Sequence, residues 1–434
     1  MRPMAGRFLL TRDVSDLCIG KPPLRWLPPS STVAEAITEL DGSGPEAAVA
    51  VWDGHAKAAA GVAGRVCMPD VVLFLLGNLA SPAAALQATL ADLLAAAGAD
   101  APPIRRFEHH ARSVTLARAP RNVSLSRTST YVYDIVLTCR RDVHSLIQAV
   151  DALLGGTHSL VVPIRGTTNM CWLTVEDVVR FFLGSVALFS PTASRSVADL
   201  GVVRPATALS VAAGDDALSA VVPVLRAALA THASLAVVSG GRSLEGEISP
   251  WTLCSSIDVS LAAAAFAALS AGELASFVEC GRAHQEAALR VVRSRLRRRK
   301  LLGMFDLLDG GRDVVDPPSP SCSSSSSLWT SSSASSCSSE DEEEEEHVTS
   351  AYTSTRQGTS SGRWAKGTRP AAGQPIACRR GSSLVAVMAQ AVAHRVTQVW
   401  VLDDENQELV GVVGFLDVLR VLRHHLLASP PAPL

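Results

Sequence analysis

The chain has 434 residues, 47% of them apolar and only 5% aromatic, with a formal net charge of −2. That balance gives no electrostatic reason to expect nucleic acid or an anionic membrane as a partner, and the length suits about two to four domains with cores of Ala, Val and Leu. Nine scattered cysteines without a C-x-x-C pair argue against a disulfide framework or a clustered zinc site and favour a reducing, cytoplasmic or nuclear setting. The first residues lack the apolar core of a signal peptide, and the most apolar runs, 71–76 and 261–269, are too short to span a bilayer.

Residues 14–80 form a first unit. Val14-Ser15-Asp16-Leu17 opens it, Thr32 precedes the helically spaced Val33, Ala36, Ile37 and Leu40, and apolar runs at 47–52 and 61–66 are expected strands. Cys67-Met68-Pro69-Asp70 then leads into a helix over 71–76, where Pro69 suits a first turn whose N–H has no intrahelical partner. An Ala-rich helix over 82–97 and a Pro/Arg-containing linker fill 81–129.

The second unit, 130–190, has an expected strand at 135–138, a helix over 143–154 capped by Asp142, and a strand at 160–164. Next comes Cys171-Trp172-Leu173-Thr174-Val175-Glu176-Asp177-Val178-Val179, where an apolar strand end runs into Thr174 at an N-cap position, three residues before Asp177. A plain capping box accounts for that pair. It also sets a hydroxyl and a carboxylate at a strand-to-helix junction, where open α/β units bind ligands.

The third unit, 194–258, begins with Val197-Ala198-Asp199-Leu200, an echo of the first. Asp216 caps a helix to about 229, strands are expected at 234–238 and 244–248, and Ser249-Pro250-Trp251-Thr252 forms the junction. A helical connector spans 259–310 and ends in the basic run Arg295-Leu296-Arg297-Arg298-Arg299-Lys300, a solvated helix end or an import signal. Residues 311–372, Ser-rich and then acidic at 340–346, bury too little apolar surface to offset ordering and are expected to be disordered. Within that tract Ser338 and Ser339 stand before acidic residues, a pattern that acidophilic kinases prefer. In the fourth unit, 374–427, Ser383 caps a helix over 384–393, strands are expected at 399–402 and 409–413, and Gly414-Phe415-Leu416-Asp417 opens the last helix. Core packing is the expected role of Trp26, Trp52, Trp172, Trp251 and Trp400.

The caps Thr32, Asp142, Asp216 and Ser383 precede the junction residues Asp70, Asp177, Thr252 and Asp417 by 34 to 38 residues. Helix, strand, strand, helix at a fixed spacing, four times over, is the strongest signal in the chain. The Val-x-Asp-Leu leaders, strand ends such as Val161-Val162-Pro163-Ile164, and the Gly/Thr-x-x-Asp helix openings resemble cystathionine-β-synthase (CBS) repeats. With Phe182-Leu183-Gly184-Ser185-Val186-Ala187-Leu188-Phe189-Ser190-Pro191 and Leu269-Ser270-Ala271-Gly272-Glu273-Leu274, the whole chain resembles plant proteins made only of CBS domains, related to the gamma subunit of SNF1-related/AMP-activated kinase.

The resemblance implies an α/β fold of four CBS repeats paired as two Bateman modules, first with second and third with fourth. It further implies a non-catalytic regulatory protein with no required cofactor, AMP, ADP or ATP as regulatory ligand, and protein partners such as SNF1-related kinase subunits or a second copy of the chain. In that family the junction Ser/Thr and Asp hold the ribose, the carboxylate accepting from the vicinal hydroxyls. Carried onto this chain, only Thr174/Asp177 keeps both partners; Asp70 has Cys67 at the hydroxyl position, Asp417 has Gly414, and Ser249 with Thr252 lacks the acid. A ligand-free scaffold is the alternative. No P-loop, G-x-S-x-G elbow or dinucleotide fingerprint occurs, and the adjacent pairs His109-His110 and His424-His425 lack the spacing that puts two imidazoles on one helical face.

Overall fold

The computed structural model describes residues 12–41, 47–52, 62–97, 146–157, 159–164, 169–229, 231–240, 242–251, 258–280, 285–309 and 375–427. The expected strand at 135–138, the Asp142 cap, Thr252 and the Ser-rich acidic tract at 311–372 lie outside them.

In the first repeat β1 (Arg25–Leu27), α1 (Val33–Leu40), β2 (Ala48–Trp52), β3 (Val62–Cys67) and α2 (Met68–Gly77) follow one another. Strand β1 pairs parallel with β2, and β2 antiparallel with β3. A capping box between Thr32 and Glu35 starts α1, which buries Val33, Ala36 and Leu40. The single helix expected over 82–97 is two, α3 (Pro82–Gln87) and α4 (Leu90–Ala97). Thr89 and Asp92 bond reciprocally between them and start a new helix, and both helices pack on the core of the first repeat.

The second repeat contributes α5 (Leu146–Leu154), the hairpin β4 (Ser159–Pro163) with β5 (Met170–Thr174), and α6 (Val175–Gly184). The third has β6 (Arg204–Pro205), β7 (Ser210–Ala212), a π-helical turn, α7 (Val222–Leu229) and the hairpin β8 (Leu235–Ser239) with β9 (Ser243–Ile248). Four helices follow: α8 (Val259–Ala268), α9 (Ala271–Cys280), α10 (Gln285–Arg298) and α11 (Leu302–Asp309). The fourth repeat is β10 (Ala377–Arg379), α12 (Leu384–His394), β11 (Gln398–Leu402), β12 (Leu409–Gly414) and α13 (Phe415–Leu427). Each of the three hairpins with a parallel partner strand shifts register toward the end of its first strand, near Val51, Val237 and Val401, so the repeats share even their irregularity.

Strand faces join first to second and third to fourth. Trp172 Nε1 donates to Ala48 O at 3.2 Å, and Leu24 N to Met170 O at 2.7 Å. In the other module Trp400 Nε1 donates to Glu247 Oε2 at 2.9 Å and Gln398 Nε2 to Ser234 O at 3.1 Å. Helices join across modules: one core gathers the first and third repeats, the other the second and fourth. All of α8 except Ser260 is buried, since its alanines let it lie close against α2.

Two sequence expectations change. The basic run is solvated over 297–300 but also pinned: Arg295 Nη2 donates to Glu273 Oε1 at 2.6 Å, and Arg297 lies over the Phe305 ring at 4.5 Å. Trp26 is 54% exposed, edge-on to Trp52, not a core residue.

Glu247 is a buried acid whose pKa is raised by burial, opposed by its bonds with Ser234 and Trp400. Between the ordinary glutamate value and the higher folded one, the native state holds a proton that the unfolded chain has released, so stability falls as pH rises through that window. Glu247→Gln should therefore raise the melting temperature at alkaline pH, with the advantage closing toward about pH 4; thermal melts across pH check this.

Candidate functional site

Residues from three strand-to-helix junctions, and from the strand that leads into the fourth, line one central cleft of about 550 Å3 when the open solvent at its mouth is counted. Thr174, Val175 and Glu176 enter it from the second repeat, Trp251 from the third, Gly414, Phe415 and Leu416 from the fourth, and Arg65, two residues before Cys67, from the first. A small apolar floor of Ala48, Cys67 and Trp251, with Trp172 and Leu229 against it, holds these corners together.

At the second corner both halves of the capping box form. Thr174 N and Oγ1 donate to Asp177 Oδ2 at 2.7 and 2.9 Å, and Asp177 N returns to Thr174 Oγ1 at 3.4 Å. Lys21 Nζ donates to the same Oδ2. At the fourth corner Asp417 is 3% exposed. Its Oδ2 accepts from Gly414 N at 3.0 Å and Arg204 Nε at 2.7 Å, and its Oδ1 from Arg420 Nη1 at 2.9 Å. At the first corner Cys67 N and Sγ both donate to Asp70 Oδ2 at 2.8 Å. Burial pushes the Asp70 carboxyl up, although the Cys67 bonds and nearby Arg65 oppose the shift, and burial likewise raises the Cys67 thiol. Such an acid keeps its proton more readily than an exposed one and is a poorer acceptor for a diol. Ser249 directly follows β9 at the third corner.

Sequence reasoning missed the middle of the cleft. The Arg65 guanidinium stands 5.8 Å from the Trp172 ring centre and 6.0 Å from that of Trp251, while His232 stacks on Trp251 at 5.4 Å with 9° between the planes. His232 sits at φ +50°, uncommon for a residue with a side chain, and its carbonyl accepts from Thr397 Oγ1 at 2.6 Å. Arg65 Nε, Trp251 Nε1 and Gln398 Oε1 are buried there without hydrogen-bond partners. Each such group costs about 1–3 kcal/mol unless something fills the space. An Arg between two Trp residues from different repeats carries no local sequence signal; only the fold brings them together.

No group of His, Cys, Asp and Glu among the described residues could hold a metal ion, and no helix there is long and apolar enough to cross a membrane.

A CBS-domain family profile matches residues 372–424. CBS domain-containing protein CBSX5 of Arabidopsis thaliana is 33% identical over 450 residues, covering 96% of this chain and 98% of CBSX5. CBSX6 of the same plant is 44% identical over 59 residues, covering 13% of this chain and 14% of CBSX6. Among solved structures, a Methanocaldococcus jannaschii protein, proposed as an archaeal homologue of g-AMPK, superposes with a TM-score of 0.49 at 12% identity, covering 95% of this chain and 100% of that one.

Replacing the corner acids separates their structural weights. Asp417→Ala leaves Arg204 Nε and Gly414 N without their acceptor and should cost about 2–3 kcal/mol, tempered by the partial exposure of both arginines. Asp177→Ala, at a more open corner, should cost about 1–2 kcal/mol, the scale of a lost cap. Urea denaturation of the two variants gives the comparison.

Proposed function

The chain belongs to the CBS-domain proteins, and on that premise we propose that it is a non-catalytic regulatory protein whose central cleft binds an adenine nucleotide and passes that state to a protein partner. One observation carries the reading: two donors, Arg65 Nε and Trp251 Nε1, and one acceptor, Gln398 Oε1, are unpartnered around a single cleft. Phosphate oxygens satisfy the first two and an exocyclic amine the third, and a nucleotide carries both. Thr174 and Asp177 stand at the ribose position by resemblance, with Asp417 at the equivalent place in the fourth repeat. Asp70, Ser249 and Thr252 complete the set of corners, and Asp70 is the weakest acceptor among the acids. Ligand acts by favouring one packing of the four repeats over another, by no more than its differential affinity. An SNF1-related kinase complex is the partner that the sequence resemblance suggests.

A ligand-free scaffold has its own support, because each corner carboxylate is already satisfied within the chain. Calorimetric titration of AMP, ADP and ATP decides between the two. The nucleotide reading predicts saturable heat with wild type and affinity roughly tenfold to hundredfold weaker in Arg65→Ala, the scale of a lost charge-assisted bond. No heat and no thermal shift at about millimolar nucleotide, well above most site affinities, favours the scaffold.

A further inference from the structure

Two cations of the chain hold the corner acids of the even repeats, and the same sequence device places both. Lys21 lies five residues beyond Asp16 of Val14-Ser15-Asp16-Leu17, and Arg204 lies five residues beyond Asp199 of Val197-Ala198-Asp199-Leu200. Each leader opens an odd repeat but packs on the even one. Val14 and Cys18 are buried among Cys171, Val175 and Val178, whereas Val197 and Val202 are buried with Leu384, Val399 and Val413. Backbone bonds tie both leaders to the even sheets, Leu24 N to Met170 O and β6 along β12. Just beyond its cation, each leader runs on to β1 or β7, the parallel edge strand of the odd repeat. The β6–β12 approach is close enough that a Cβ on Gly411 would meet Arg204 O at 2.5 Å.

In each pair the cation binds the oxygen that caps the junction helix. Lys21 donates to Asp177 Oδ2, which also receives Thr174 N and Oγ1, and Arg204 donates to Asp417 Oδ2, which also receives Gly414 N. A carboxylate oxygen has about two lone-pair sites, so this one has no room for a further pair of donors.

We propose that Lys21 and Arg204 are latches on the ligand corners: a vicinal diol takes both carboxylate oxygens of Asp177 or Asp417 only by displacing the cation, and that displacement frees the leader joining the two repeats of a module. This rests on the nucleotide reading above and adds its regulation. The second corner opens first, because Lys21 is a single ammonium against a partly exposed carboxylate. At the fourth corner both oxygens of a nearly enclosed carboxylate are held, by Arg204 and Arg420.

Titration of the full chain with adenosine and 2′-deoxyadenosine tests the latch, since neither carries a phosphate for the freed cation to attract. Lys21→Met should bind adenosine about tenfold tighter than wild type, the gain expected when a charge no longer competes for the carboxylate. 2′-Deoxyadenosine, lacking the diol, should show no such gain, and Lys21→Arg should stay near wild type. Unchanged or weaker adenosine binding by Lys21→Met, with ATP still bound by wild type, overturns the latch and leaves the nucleotide reading standing. If neither chain binds any nucleoside or nucleotide, both fall. Should Lys21→Met fail to give a cooperative melt, Arg204→Met is titrated in its place and judged in the same way.

Discussion

A carboxylate at a strand-to-helix turn caps the helix behind it, yet near the middle of a packed assembly it also needs a positive partner. In the even repeats that partner comes from a different repeat, through Lys21 on Asp177 and Arg204 on Asp417. The constraint fixes the chain's path. Each leader must cross to the even sheet before it can turn back and form the edge strand of its own repeat. A module is therefore two hairpins threaded by one leader, and its halves cannot separate without uncovering a charge.

Helix packing extends this pairing into a four-repeat assembly. The alanines of α8 present little bulk, so it sits against α2 with Val71, Val72 and Leu75 filling the contact. On the other side Phe182 and Phe189 of the second repeat meet edge-to-face at 5.4 Å, Phe189 meets the His425 ring of the fourth repeat at 5.9 Å, and Thr192 Oγ1 is bonded to His425 Nδ1 at 2.7 Å. With few aromatics to spend, the chain places Trp172, Trp251 and Trp400 close to the centre, where their N–H groups meet a carbonyl, a carboxylate or open space. That open space is the cleft, where Arg65 Nε, Trp251 Nε1 and Gln398 Oε1 gather as buried polar atoms without a partner in the chain.

Much of this was legible in the residues. The caps at Thr32, Asp216 and Ser383 form as the Ser/Thr/Asp positions before helical spacing imply, and the hairpins follow their apolar runs. Strands β1, β6 and β7 were not legible, because two or three residues carry no period and their pairing partners lie far along the chain. The division of 82–97 was visible in principle in Thr89 and Asp92, a capping pair masked by the alanines around it. Thr174 and Asp177 were found as a cap and a corner together; Lys21 was not, although aligning the two Val-x-Asp-Leu leaders reveals a cation at a shared spacing. Arg65 and His232 owe their placement to tertiary contacts that no local pattern encodes.

The account turns on an exchange, a ligand taking the acid and the leader losing its hold. Hydrogen exchange of the full chain with and without saturating ATP measures that hold directly. Faster exchange confined to residues 18–27, with 200–212 following at higher ligand, is the expected result. Equal or slower exchange in both leaders when nucleotide is bound would contradict it.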